Sequence, residues 1–197
     1  MKCMYRKTYV EINEDILENN TKEIVNKYNK YQYYIGVVKN NAYHHGIKVV
    51  NSLIRGGVNY LAVSSLEEAI EIRKYNVEIP ILVLEPIDLD FIDDVINNKV
   101  TLTVDSLDYL ELLNKMSIPY KLNIHLKIDS GMNRLGFKKR KEINEAVRII
   151  NDNKKLYLEG IYSHFATSGI SDIHYDGQVE RFLHLTKDIN LKEIPIV

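Results

Sequence analysis

The sequence contains a single cysteine, Cys3. No intrachain disulfide can form, which fits a reducing, cytoplasmic setting. No apolar run approaches the roughly 18 residues that a membrane-spanning helix needs. The stretch from Met1 to Asn13 is charged and lacks the apolar core of a signal peptide. An excess of charge of either sign is missing too: 26 Lys and Arg face 27 Asp and Glu, a net charge of −1. Neither nucleic acid nor an anionic membrane surface is an expected partner on that balance. The one basic cluster, Lys138-Lys139-Arg140-Lys141, opens a predicted helix and reads as a solvated face, with a phosphate-bearing partner as the alternative. No Gly-x-Gly-x-x-Gly follows the first predicted strand, which argues against a dinucleotide-binding fold. The six histidines, 44, 45, 125, 164, 174 and 184, show no ligand spacing with Cys or acidic residues, so no metal is expected.

What is present is a regular alternation of short β-rich runs and amphipathic segments. The predicted strands are Tyr33–Val38, Tyr60–Ser64, Ile81–Leu84, Val100–Val104, Leu122–Ile128 and Leu158–His164. Apolar stripes predict helices between them: Ile16, Ile24 and Val25; then Leu66, Ala69, Ile70 and Ile72. Phe91, Val95 and Ile96 mark a third helix, and Leu107, Leu110, Leu112 and Leu113 a fourth. Ile143, Ala146, Val147 and Ile150 mark a fifth, and Val179, Phe182, Leu183 and Leu185 a sixth. Ser65 fits an N-cap with Glu68 at the capping-box position, and Asp105 or Ser106 caps the fourth helix. Strict β/α alternation predicts parallel strands with helical crossovers. The strand spacing of about 20 residues suits a (β/α)8 barrel. Six strands, with Ile194–Val197 as the possible start of a seventh, fall short of the eight that a closed barrel requires. The expectation is therefore an incomplete TIM-type α/β barrel spanning residues 1–197 of a longer protein.

Three motifs sit at predicted carboxyl strand ends, where parallel α/β folds place their chemistry. The first runs Val38-Lys39-Asn40-Asn41-Ala42-Tyr43-His44-His45-Gly46. Lys39 is either a solvated loop residue or an amine whose desolvation makes it nucleophilic toward aldehydes. The second runs Lys127-Ile128-Asp129-Ser130-Gly131-Met132-Asn133-Arg134-Leu135-Gly136-Phe137. Its glycines allow close backbone approach, and Arg134 offers a planar fork for a carboxylate or phenolate. Lys127 and Asp129 share one strand face by period-two alternation. A βα turn with surface charges is the alternative. The third runs Gly160-Ile161-Tyr162-Ser163-His164-Phe165-Ala166-Thr167-Ser168-Gly169. His164 is either a structural histidine or an imidazole placed to stack on a planar ligand or to donate a hydrogen bond.

Together these motifs resemble the bacterial alanine racemase family. Lys39, Asn41, Ala42, Tyr43, His45 and Gly46 match its first motif, Leu126–Phe137 its Lys-x-Asp-[Ser/Thr]-Gly-Met-x-Arg-x-Gly, and Ser163–Thr167 its His-Phe-Ala-[Thr/Ser]. Leu66-Glu67-Glu68-Ala69 and Gln178-x-x-Arg181-Phe182 agree in order and spacing. The resemblance implies a pyridoxal 5'-phosphate isomerase that converts L-alanine to D-alanine for cell-wall (peptidoglycan) precursors. It implies Lys39 as the cofactor's imine-forming lysine and one catalytic base, and Tyr43 on the cofactor phosphate. Arg134 would contact the cofactor's phenolic oxygen and the substrate carboxylate region, His164 would lie against the pyridine ring, and Lys127 would orient Arg134. It also implies a small amino-acid substrate and a homodimer. A C-terminal β domain, with a tyrosine as the second base, and the remaining phosphate-binding segments are expected beyond Val197. A serine racemase, a non-catalytic pyridoxal-phosphate-binding barrel and an inactive fragment are the alternatives. Two departures stand out: His44 where the family usually has glycine, and Glu85-Pro86 where a small residue is common.

Overall fold

The computed structural model describes residues 8–75, 77–167 and 173–197. Cys3 and the Ser168-Gly169 end of the third motif lie outside the described residues. Six strands form one parallel sheet in chain order: β1 (Ile35–Val37), β2 (Tyr60–Val63), β3 (Ile81–Val83), β4 (Val100–Val104), β5 (Leu122–Ile128) and β6 (Leu156–Ser163). Because every neighbour pair is parallel, all six carboxyl ends emerge at one edge. The sheet is an open part of a (β/α)8 barrel, with β1 and β6 at its two edges. Ile196 pairs in parallel with Gly160, donating to the Glu159 carbonyl at 3.1 Å and accepting from Ile161 at 2.9 Å. The segment expected to begin a seventh strand thus lies alongside β6, although only Ile196 bridges to it.

The crossovers carry α1 (Glu14–Lys27), α2 (Lys39–Tyr43), α3 (Val50–Arg55), α4 (Leu66–Arg73), α5 (Ile92–Asn97), α6 (Leu107–Asn114), α7 (Arg140–Asp152) and α8 (Ile173–Thr186). Strand alternation divides the buried residues into two layers. Leu61, Val63, Leu102, Ile124, Leu126 and Ile161 face the helices in the large outer core. Tyr60, Ala62, Leu82 and Ile196 form a smaller inner cluster, with Tyr33, Leu84 and Tyr162 against it.

Several helical stripes differ from expectation. Ile16 and Ile24 are more than half exposed. The Leu17–Thr21–Val25 face packs instead, because Gly56 and Gly57 let α1 approach: a Cβ on Gly56 would meet Thr21 Cβ at 2.5 Å. Phe91, Leu112 and Leu183 are also exposed, while Ile92, Leu110, Leu113 and Leu185 take the core positions. Ser106 rather than Asp105 caps α6, accepting from Tyr109 N–H at 3.4 Å. In the basic cluster, Lys138, Lys139 and Arg140 pair with Asp129, Glu142 and Asp188 at 3.4, 2.8 and 3.0 Å. Those pairs leave little free positive charge for a phosphate-bearing partner.

One irregularity shapes the barrel interior. Between Ile124 and His125 the β5–β6 register shifts: Ile124 faces Leu158, but His125 faces Gly160. The extra residue is Glu159, and the bulge turns its carboxylate inward. Oε2 accepts from the Tyr60 hydroxyl at 2.7 Å and His125 Nε2 at 3.1 Å, and Oε1 from Asn123 Nδ2 at 2.7 Å. Gly160 must lack a side chain here, since a Cβ would lie 2.6 Å from the buried His125 ring.

Candidate active site

The chain leaves β1 at Val38, whose N–H still donates to the Ala62 carbonyl at 2.8 Å. The polar segment that follows is not an irregular loop. Asn40, Asn41, Ala42, Tyr43 and His44 all have positive φ, between 51° and 67°, so α2 is one left-handed turn. Such a conformation costs about 1–2 kcal/mol per ordinary L-residue, less for Asn and His, which enter it more readily. Bonds from Ala42 N–H to Val38 at 2.9 Å and from His44 N–H to Asn40 at 3.0 Å hold it, and Ala42 is buried beneath it. The Glu68 carboxylate closes its start, accepting from Asn40 N–H at 2.5 Å with Oε1 and from Ser64 N–H at 2.8 Å with Oε2. The Ser65 cap is present, but Glu68 does not complete the capping box. It reaches past Ser65 to the end of β2 and across to the first motif. His44 sits at φ 67°, ψ 8°, the left-handed position that glycine fills most easily.

Arg134 rides on a loop that closes back onto its own strand. Phe137 N–H donates to Lys127 O, and Asp129 N–H to Phe137 O, both at 2.9 Å. Gly136, at φ +126°, is needed where the loop returns: a Cβ would lie 2.8 Å from both Asp129 N and Lys127 O. Asp129 directly follows the end of β5 at Ile128. The buried Asp129 carboxylate turns to the loop, accepting from Gly131 N–H at 3.0 Å and Asn133 N–H at 2.9 Å, with Lys138 at 3.4 Å.

His164 follows β6, and Gln178 from α8 joins its loop to the second motif. The buried Gln178 amide accepts from Ala166 N–H at 2.8 Å and donates to the His164 carbonyl at 3.1 Å and to Ser130 Oγ at 3.5 Å. Ser130 and Ser163 hydroxyls meet at 2.7 Å.

These elements converge on a cavity of about 360 Å³ lined by Lys39, Lys127, Arg134, His164, Tyr162 and Glu85, among others. Tyr43 lines an adjoining cavity of about 460 Å³, which shares Lys39, Tyr162 and His164 with the first. Lys39 therefore stands between the two, with Arg134 on one side and Tyr43 on the other. Lys127 is buried, its Nζ donating to Leu84 O at 3.4 Å and lying 5.6 Å from the Tyr162 ring centroid. Burial, then the charge of Arg134, lowers the Lys127 pKa. Burial and the charges of Arg134, Lys127 and Lys39 lower that of His164, which favours a neutral imidazole. Tyr162 is held protonated by burial; its hydroxyl lies 2.9 Å from Thr103 Oγ1 and donates to Leu84 O at 3.2 Å. The Glu85 carboxylate stands among these cations. The Lys39 amine, two further cations and a neutral-leaning imidazole suit an anionic, planar, aldehyde-bearing ligand.

The alanine racemase N-terminal domain model matches residues 12–197. The chain belongs to that family. It is 34% identical to alanine racemase of Halalkalibacterium halodurans over all of its length and 52% of that relative. It is 33% identical to alanine racemase 1 of Bacillus subtilis over 99% of its length and 51% of that relative. The crystal structure of alanine racemase from Bacillus anthracis with bound L-Ala-P superposes with a TM-score of 0.85 at 32% identity, covering 95% of this chain and 50% of that one. The chain thus spans about half the length of the alanine racemases it matches. Its six parallel strands and flanking helices correspond to the N-terminal barrel of this family. The motifs assign Glu68 only a helix cap and a place in the Leu66–Ala69 segment, Gln178 only a place in its own segment, and Tyr162 no role. The capping-box spacing and the Leu66–Ala69 segment are the signals for Glu68. The Tyr162 signal was weaker: it shares the inward strand face expected two residues before His164.

Proposed function

We propose that the protein to which this chain belongs is a pyridoxal-phosphate-dependent racemase that interconverts L- and D-alanine. D-alanine for peptidoglycan precursors, a cytoplasmic location and a homodimer complete the reading. The observation that carries it is the convergence of Lys39, Lys127, Arg134 and His164 on one cavity, with Tyr43 beside it. Residues 1–197 make up the first six strands and the start of the seventh in a (β/α)8 barrel, and a β domain follows.

In this reading Lys39 holds the cofactor covalently and Tyr43 donates its hydroxyl to the phosphate. Arg134 faces the phenolic oxygen and the substrate carboxylate, and Lys127, buried and lining the same cavity, orients the guanidinium. His164, kept neutral, packs against the ring. The cofactor, when bound, delocalises the charge left by removal of the α-proton, which is otherwise too weakly acidic for a side-chain base. Inversion needs an acceptor on one face and a donor on the other. The Lys39 amine serves one face; we place the second group, a tyrosine, on the β domain. The left-handed turn keeps Lys39 and Tyr43 on one rigid element, so amine and phosphate anchor are positioned together.

Titration of the protein with pyridoxal phosphate, followed by visible absorption, tests the reading. A saturable band shift that Lys39→Ala abolishes is expected. Tyr43→Phe should weaken binding by about 1 kcal/mol, one net hydrogen bond. An identical shift in Lys39→Ala, or unchanged affinity in Tyr43→Phe, would remove those residues from the site.

A further inference from the structure

The geometry points to Glu68 as the positioning residue that sets Lys39: its carboxylate clamps the Lys39–Asn40 peptide to the end of β2. The inference rests on the reading of Lys39 as the cofactor lysine and adds a device to it. A left-handed turn, like a right-handed one, leaves its first N–H groups without partners inside the turn. Ala42 and His44 find the Val38 and Asn40 carbonyls. Asn40, the first residue to adopt positive φ, cannot, and Glu68 Oε1 supplies its acceptor. The other carboxylate oxygen holds Ser64 N–H at 2.8 Å, directly after β2, and Ser64 lines the same cavity as Lys39. One rigid group thus fixes the peptide plane immediately following Lys39 relative to the adjoining strand. Without it, the φ of Asn40 can return to the favoured negative region, and the Lys39 and Tyr43 side chains re-aim together. The sequence distinguishes this from ordinary helix capping. Glu67 and Glu68 are both acidic residues in the first turn of α4, where each favours its dipole, but only Glu68 reaches Asn40.

The experiment compares the full chain with Glu68→Gln and Glu67→Gln. The amide is isosteric, keeps one acceptor oxygen, and loses the charge and the second acceptor. Three readouts are taken: melting temperature, deuterium exchange of the amides of residues 38–46, and the rate at which pyridoxal phosphate and borohydride label Lys39, mapped by peptide mass spectrometry. Glu68→Gln should raise exchange at Asn40–His44 and slow Lys39 labelling about tenfold, the factor that loss of one charged hydrogen bond allows. Glu67→Gln should lower the melting temperature less and leave both local readouts unchanged. Equal local effects from the two variants would reduce Glu68 to a helix cap and overturn the inference. So would fast Asn40 amide exchange in the unaltered chain, an arm that stands even where Glu68→Gln fails to fold. If the unaltered chain is not labelled at Lys39, the cofactor reading fails, while the exchange data still judge the clamp.

Discussion

Replacing Glu159 by alanine should be among the most damaging single changes in the barrel interior. The carboxylate accepts from Tyr60, His125 and Asn123, and also from Thr101 Oγ1 at 3.3 Å. Tyr60 and Thr101 hydroxyls lie 2.7 Å apart and can satisfy each other after its removal. His125 Nε2 and Asn123 Nδ2 cannot, and His125 already has an unpartnered, buried Nδ1. Each orphaned donor costs about 1–3 kcal/mol, so Glu159→Ala should lose about 4 kcal/mol. With a urea slope of about 2 kcal/mol/M for a chain of this size, the unfolding midpoint followed by far-UV circular dichroism falls by about 2 M. Glu159→Gln should lose only about 1 kcal/mol, because its oxygen can face the three donors while Asn123 turns its own amide oxygen toward the new NH2. The pH dependence supplies a second check. Burial pushes the Glu159 carboxyl up, but the bonds from His125 and Tyr60 outweigh it and hold the folded carboxyl below the ordinary 4.5. The unfolded chain therefore takes up the proton first. Glu159 adds stability above about pH 4.5, and that share is lost as pH falls through the folded value. Glu159→Gln should flatten the stability loss in that window. Equal midpoints for wild type and Glu159→Ala, or an unaltered acid limb in Glu159→Gln, would refute the reasoning.

Gly136→Ala places a Cβ against two backbone atoms at positive φ. It should cost about 3 kcal/mol, seen as a drop of about 6–12 °C in calorimetric melting temperature; a drop under about 2 °C would mean the Arg134 loop is not closed as described. His44→Gly relieves a left-handed non-glycine residue and should raise the melting temperature by about 2–4 °C, or about 1 kcal/mol. A lower melting temperature would show that His44 makes a compensating contact. The His164 ring should titrate below 6.5 in a proton NMR experiment, and Arg134→Leu should move its midpoint up by removing a neighbouring charge. An unmoved midpoint would separate the two residues.

The strand pattern was legible because each strand is a short run of β-formers bounded by polar turn residues, and burial on both faces keeps β2 and β3 apolar. Parallel pairing then delivered Lys39, Arg134 and His164 to one edge, which only required knowing where each strand ends. The left-handed turn was not legible. Asn40-Asn41-Ala42-Tyr43-His44 reads as a polar loop, and nothing local in it announces five positive φ values; a distant acceptor, Glu68, supports them. The Glu159 bulge was hidden for a similar reason, since register depends on the neighbouring strand. The stripe on α1 misled because two adjacent faces carry aliphatic residues, and the choice between them falls to Gly56 and Gly57 on another element.

In the proposed reading, Lys39 is the cofactor lysine of a racemase barrel. The most direct test is borohydride reduction of the protein in the presence of limiting pyridoxal phosphate, followed by peptide mapping. A single dominant adduct on the peptide containing Lys39, lost in Lys39→Ala, is expected. An adduct confined to other lysines, Lys127 included, with Lys39 unmodified, would contradict it.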